Sequence, residues 1–343
     1  MYEKDGEKYF VVDSHAHFWD ASPANWVPGQ EEYAKGWIEC FHAYQGLGPA
    51  ETHWPIEKFQ KYSEETMMKD VFEDGHVDMA IFQPTNLRQW YKNGFNTTEE
   101  DGAMAERHPG RFLVNTNFDS RDGDEGIKAL EERVQRWGSK GVKLYTAEWK
   151  GDSRGWSLKS AETARYLEKC QELGVTNIHV HKGPTIWPLD KDAFDVSDVD
   201  YAATNFPGLN FIVEHVGLPR IEDFCFMATQ EPNVYAGLSV VVGGLMHARP
   251  RFFAKVMGEL MFWLGEDRLL FGGDYAIWEP KWQVEGLVDW QMPDGEEFSD
   301  YSKVSIDAKK KILGLNAARL YGIKVPPETD VEAPEVEPVG VPS

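Results

Sequence analysis

Cysteine is scarce in this chain. Cys40, Cys170 and Cys225 are isolated, odd in number and form no C-x-x-C pair, so no disulfide framework is expected. Basic residues are also few. Against 57 Asp and Glu stand 35 Lys and Arg, a formal net charge of −22. That excess argues against nucleic acid or an anionic membrane surface as a partner, because both require clustered cations; ordinary solubility accounts for it. No apolar run approaches the roughly 20 residues that span a bilayer. Residues 1–8 are charged and lack the apolar stretch of a secretory signal. These absences lead to the expectation of a soluble, reduced, cytoplasmic protein.

The chain is rich in core-forming residues, 42% apolar and 13% aromatic over 343 positions, enough for one large barrel or two ordinary domains. Short β-branched or apolar runs recur at 11–16, 77–83, 112–117, 141–145, 177–181, 210–215, 233–239 and 269–274. Helix-length amphipathic stretches, such as 124–137, 160–173, 197–205 and 251–264, lie between most of them. Gly138, Gly174 and Pro207-Gly208 supply turn signals before three of the strands. Eight strands in β–α alternation predict an α/β fold, a (β/α)8 TIM barrel with a closed parallel sheet. One domain over 1–324 is expected, with an extended, aromatic-rich loop at 18–55 after the first strand and an acidic, Pro-rich tail at 325–343 that is disordered or draped over the surface. The loop carries Trp19, Trp26, Trp37, Tyr44 and Trp54. It reads either as a flap over the active-site face or as a self-packed aromatic cluster.

The first strand ends in Asp13-Ser14-His15-Ala16-His17. Residues two apart on a strand share a face, so both imidazoles project together. Two neutral imidazoles aimed at one point suit a divalent transition metal. His181 closes the fifth strand, His215 the sixth and Asp274 the eighth. In a parallel barrel all these strand ends ring one mouth. His15, His17, His181 and Asp274 would then supply three imidazoles and a carboxylate to one metal, most readily Zn2+, with Mn2+, Fe2+ or Co2+ also suited. His179, on the same face as His181, reads as a core residue, and His42, His53, His76, His108 and His247 carry no assignment.

These residues fall into a recognisable series: Asp-x-His-x-His at 13–17, His-x-Gly at 181–183 and again at 215–217, Gly-x-Asp at 272–274, and Asn-Ala-x-x-Leu-Tyr at 316–321. In that order the chain resembles the amidohydrolase superfamily, and within it the branch that includes the aminocarboxymuconate-semialdehyde and resorcylate decarboxylases. The resemblance implies His15, His17, His181 and Asp274 as metal ligands, with His215 polarising substrate or shuttling a proton beside Asp274 in the catalytic step. It also raises Lys143, on the fourth strand, as a carboxylated bridge to a second metal; a single metal is the expectation.

Residues just beyond the strand ends should line the mouth. Trp19, Arg88, Lys182, Trp187, Tyr275 and Trp278 are the candidate substrate contacts, beside Phe18, Trp90, Tyr145 and Arg220. The rings suit an apolar or planar small molecule. The cations could hold a carboxylate or could simply form internal salt bridges. Two reactions share such a site: hydrolysis of an amide, lactone or ester by metal-activated water, and non-oxidative decarboxylation of an aromatic or unsaturated acid. The His-Phe-Trp-Asp opening at 17–20 resembles sugar-lactone hydrolases and tilts the expectation toward hydrolysis, while His-Lys-Gly-Pro at 181–184 leans toward the decarboxylases. Asp-Tyr-Ala-Ile-Trp at 274–278 is similar to amidohydrolase-like proteins encoded beside bacterial diiron monooxygenases, which raises a third role in assembly or metal handling. A homo-oligomer, dimer or larger, is expected.

Overall fold

The computed structural model describes residues 1–329. The chain opens with a hairpin that pattern reading did not foresee, β1 (Tyr2–Lys4) against β2 (Glu7–Tyr9). Asp5 and Gly6 turn it with φ of 53° and 83°, the mirror-image geometry that matches strand twist. The barrel strands follow: β3 (Val12–Ala16), β4 (Met79–Phe82), β5 (Phe112–Val114), β6 (Thr116–Asn117), β7 (Gly141–Leu144), β8 (Asn177–His181), β9 (Asn210–Glu214), β10 (Val234–Gly237) and β11 (Leu269–Leu270). All their pairings are parallel, in one run from β3 through β5 and another from β6 through β11.

Two seams join these runs into a ring. At the first, β5 and β6 are one extended segment interrupted at Asn115, so that β5 pairs with β4 and β6 with β7. At the second, hydrogen bonds from Ser14 N to Phe271 O (3.0 Å), Asp274 N to His15 O (2.9 Å) and His17 N to Tyr275 O (2.9 Å) tie 271–275 to β3. Regular pairing of the eighth strand with β10 stops at Leu270, short of the expected 269–274. Glycine explains the departure. A Cβ on Gly272 would stand 2.8 Å from His15 Cβ, and one on Gly273 2.6 Å from Asp13 Oδ2. Without side chains there, the backbone swings against β3, where Asp13 Oδ1 accepts from both Gly273 N (2.7 Å) and His15 N (3.0 Å).

The strands read as near-continuous apolar runs because both faces are covered. Outside them lie amphipathic helices such as Gly123–Trp137, Ala161–Glu172, Ser197–Asn205 and Pro250–Leu264, close to their expected bounds. Ser160 caps the second by accepting from Thr163 N. Gly138 ends the first at φ 62°. Among the described residues, no helix is long and apolar enough to cross a membrane.

Residues 18–55 contain a helix, Glu31–Ala43, that buries Ala34, Trp37, Ile38 and Phe41, a stripe at helical spacing. Trp19 stacks on Phe95 at 5.2 Å, and Trp37 meets the same ring edge-on at 4.6 Å. The insertion is therefore packed on itself and on the barrel mouth together.

At the opposite end, helix Asn316–Tyr321 plugs the barrel floor against Phe10, Val12, Ile81, Ile212 and Leu270. The expected tail boundary moves. Val325 packs beneath that floor and Thr329 is buried, so 325–329 belong to the folded unit, while 330–343 lie outside the described residues. The floor depends on close backbone approach at Gly314, where a Cβ would stand 1.9 Å from Phe10 O. Gly314→Ala should therefore cost about 1–3 kcal/mol, read as an earlier denaturation midpoint; an unchanged midpoint would contradict this account of the floor.

Candidate metal centre

The His15 and His17 rings meet edge-on, their Nε2 atoms 3.1 Å apart. Their outward nitrogens fix the tautomers. His15 Nδ1 donates to the Glu214 carboxylate at 2.8 Å. His17 Nδ1 donates to Asn96 Oδ1 at 3.0 Å, and Asn96 is oriented by its own donation to Asp101 (2.7 Å). Both Nε2 lone pairs are left facing one another, an arrangement that a cation between them would make favourable.

The eighth strand brings Asp274 to the same point. Its Oδ1 lies 3.7 Å from His15 Nε2 and 3.5 Å from His17 Nε2, and its Oδ2 lies 3.9 Å from His215 Nδ1. Among the described residues, His15, His215 and Asp274 form a group whose ligand atoms all fall within 4.8 Å of one another. His215 Nε2 lies 3.0 Å from His181 Nδ1, and His181 Nε2 is buried with no hydrogen-bond partner. An orphaned imidazole nitrogen, two facing lone pairs and a buried carboxylate fit a divalent ion. Burial opposes charge on Asp274, but the imidazoles of His15, His215 and His17 outweigh it and hold the carboxyl well below its usual range. Burial likewise pushes His15, His181 and His215 down, keeping them neutral. His215 and Asp274 both adopt left-handed backbone, φ 68° and 55°, where the chain leaves its strand.

Lys143 reaches the same centre from β7, its Nζ 3.3 Å from His15 Nε2, and burial lowers its amine to about 8. His179 lies deeper, as expected of a core residue. Its Nδ1 meets Glu214 and its Nε2 meets Tyr321 Oη at 2.7 Å. Glu214 itself was missed by pattern reading. It is fully buried and holds His15, His179 and Ser239 Oγ. The available signal was a carboxylate inside the apolar run 211–214, which burial obliges to be paired.

A cavity of about 30 Å³ opens beside His15, His17, His181, His215 and Asp274, roofed by Trp37, Phe41 and Tyr44 of the insertion and walled by Phe95, Tyr145 and Trp278. That is room for a water or two. Of the six expected substrate contacts, Trp278 lines it. The other five are placed elsewhere. Trp19 is sunk behind the wall, donating to Phe59 O. Tyr275 is buried against Trp54 and Tyr62 with its hydroxyl on Asp70. Trp187 is 48% exposed and lies against Gly36, outside the roof. Arg88 borders a neighbouring polar cleft. Lys182 is spent internally on Asp198 (2.9 Å) and Ala193 O (2.9 Å), and the mouth candidate Arg220 on Asp195.

Glu214→Gln should weaken metal binding about 10–100-fold, measured by competition with a chelator. Lys182→Met, which breaks an ion pair away from the cavity, should lower stability yet change metal affinity less than about twofold. Equal effects of the two changes would remove Glu214 from its orienting role.

No curated protein sequence matches the chain. Among solved structures, an uncharacterized TIM-barrel protein from Bordetella bronchiseptica shares the fold at 18% identity and TM-score 0.66, over 91% of this chain and 98% of that one. A 2,6-dihydroxybenzoate decarboxylase from Rhizobium aligns at 16% identity and TM-score 0.58, over 92% and 99%. A 5-carboxyvanillate decarboxylase from Novosphingobium aromaticivorans, complexed with manganese and 4-hydroxy-3-methoxy-5-nitrobenzoic acid, aligns at 15% and 0.58, over 92% and 96%. At these identities the likeness establishes the TIM-barrel architecture. The sequence pattern of the amidohydrolase family matches residues 12–323, from β3 to the helix that closes the floor, and the chain belongs to that family.

Proposed function

We propose that the protein is a metal-dependent decarboxylase that removes CO2, without redox change, from a small aromatic or unsaturated carboxylic acid. The observation that carries this reading is the polarity of the cavity. An ionised Asp274 and neutral imidazoles stand at one end, and a wall of rings and aliphatic groups with no basic side chain makes up the rest. The chemistry of this lining suits a flat apolar molecule with one anionic end, admitted when the roof of Trp37, Phe41 and Tyr44 moves aside to enlarge the cavity. Two solved structures of the same fold are decarboxylases of substituted benzoic acids, which supports the reading.

His15, His17, His181 and Asp274 would hold one divalent ion, and manganese, bound in one of those relatives, displaces zinc as the first ion to test. When bound, the ion supplies positive charge to neutralise and orient the substrate carboxylate and an adjoining oxygen. The protein's own groups do the rest. Trp37, Phe95 and Trp278 hold the ring and exclude water. Asp274 and His215, 3.9 Å apart, relay a proton taken up from solvent to the carbon that bears the carboxylate. As that carbon gains hydrogen, its bond to the carboxylate breaks, the electron pair stays on the ring and CO2 departs.

Hydrolysis loses part of its support in this reading. The 17–20 segment that suggested it serves the fold beyond His17: Trp19 is core, and Asp20 pairs with Lys61 and Ser22.

Manganese-loaded protein should consume at least one acid from a panel of hydroxybenzoic acids, with CO2 released and turnover abolished by a chelator. Asp274→Asn should keep metal better than activity, losing about 100-fold or more in rate, whereas His181→Ala should lose both. Cleavage of a lactone or amide with every acid untouched would overturn the reading in favour of hydrolysis. No turnover at all, with a raised yield of a co-expressed diiron monooxygenase, would overturn it in favour of an accessory role.

A further inference from the structure

The metal cavity has a larger neighbour. A polar cleft of about 470 Å³ lies beside it, bordered by Asn86, Arg88, Asn117 and Glu148, and Thr85 and Tyr145 line both spaces. Tyr145 follows β7 directly. It is 7% exposed, and its ring meets His181 edge-on with centroids 4.6 Å apart. Its hydroxyl is buried with no hydrogen-bond partner, and so is Nε1 of Trp37, which is 1% exposed. The Trp37 indole lies against the Tyr145 hydroxyl without a bond of good geometry.

Buried donors left unpaired are costly, and each calls for an explanation. Here both belong to residues lining the cavity that receives the substrate. The lining carboxylate, Asp274, lies among the imidazoles at the metal end, and neither the Tyr44 nor the Thr85 hydroxyl of the lining bonds to these two N–H and O–H groups. Trp37 sits in the 18–55 insertion, outside every motif shared with the family.

We infer that Tyr145 Oη and Trp37 Nε1 are specificity-determining donors, binding an oxygen substituent of the substrate on the side remote from the reacting carboxylate. This rests on the aromatic-acid reading above and adds a requirement to it: the acid carries an oxygen acceptor directed at the wall between cavity and cleft.

The test uses full-length, manganese-loaded protein with salicylate and its 4- and 5-hydroxylated derivatives. Affinity is read from tryptophan-fluorescence quenching before turnover, and metal content is measured for each variant. Wild type should bind one dihydroxybenzoate about tenfold more tightly than salicylate. Tyr145→Phe should erase most of that preference, weakening the dihydroxybenzoate far more than salicylate. Trp37→Phe keeps an aromatic roof and the other tryptophans as reporters, and should reduce the preference in the same direction. Loss of affinity for all ligands alike, an unchanged preference in both variants, or no preference in wild type would overturn this inference while leaving the decarboxylase reading intact. Failure of wild type to bind any of these acids would overturn that reading, and this inference with it.

Discussion

A carboxylate sealed inside a barrel has to be met by donors, and at Glu214 those donors come from three parts of the ring. His15 from β3, His179 from β8 and Ser239 beyond β10 all turn toward it. Burial penalises its charge, yet the imidazoles of His15 and His179 more than offset this and keep it ionised. The backbone is shaped around it as well: a Cβ on Gly237 would stand 2.2 Å from Glu214 Oε2. Because Glu214 accepts the hydrogen bond from His15 Nδ1–H, the other nitrogen is unprotonated and aimed at the candidate metal position. The tautomer and the facing lone pairs depend on that one buried hydrogen bond.

From this point the polar network runs downward as well as upward. His179 passes from Glu214 to the Tyr321 hydroxyl, which also bonds Asn115 at the seam between β5 and β6. The closing Asn-Ala-x-x-Leu-Tyr motif is thus a structural device. Tyr321 reaches up into the barrel, while Asn316 ties the plug helix to the carbonyls of Glu266 and Leu269. Chemistry at the mouth and closure at the floor share one hydrogen-bonded column. Above it the wall becomes apolar, and the insertion decides what can approach.

Much of this was legible in the chain. Strands buried on both faces produce apolar runs that stand out, and their bounds were found to within a few residues except at the eighth. There the regular ladder ends early because Gly272 and Gly273 let the chain cross to β3, a consequence of contacts 260 residues apart in sequence for Gly273 and Asp13. The convergence of His15 and His17 was legible because strand alternation is local: the two share a face wherever the strand sits. The substrate contacts were far less so. Lys182, Trp19 and Tyr275 occupy mouth positions by residue number, yet Asp198, Phe59 and Asp70, each on another element, draw them away from the cavity.

The sequence by itself determined the architecture, the family and the residues able to face a metal, since periodicity, turn residues and short motifs are properties of neighbouring positions. Tertiary structure alone decided which donors are satisfied and which are left open. Partners from other strands paired Glu214, and a helix and a turn paired Lys182, while Tyr145 Oη, Trp37 Nε1 and His181 Nε2 were buried with none. Hydrogen-bond satisfaction depends on three-dimensional neighbours, and no local pattern encodes it.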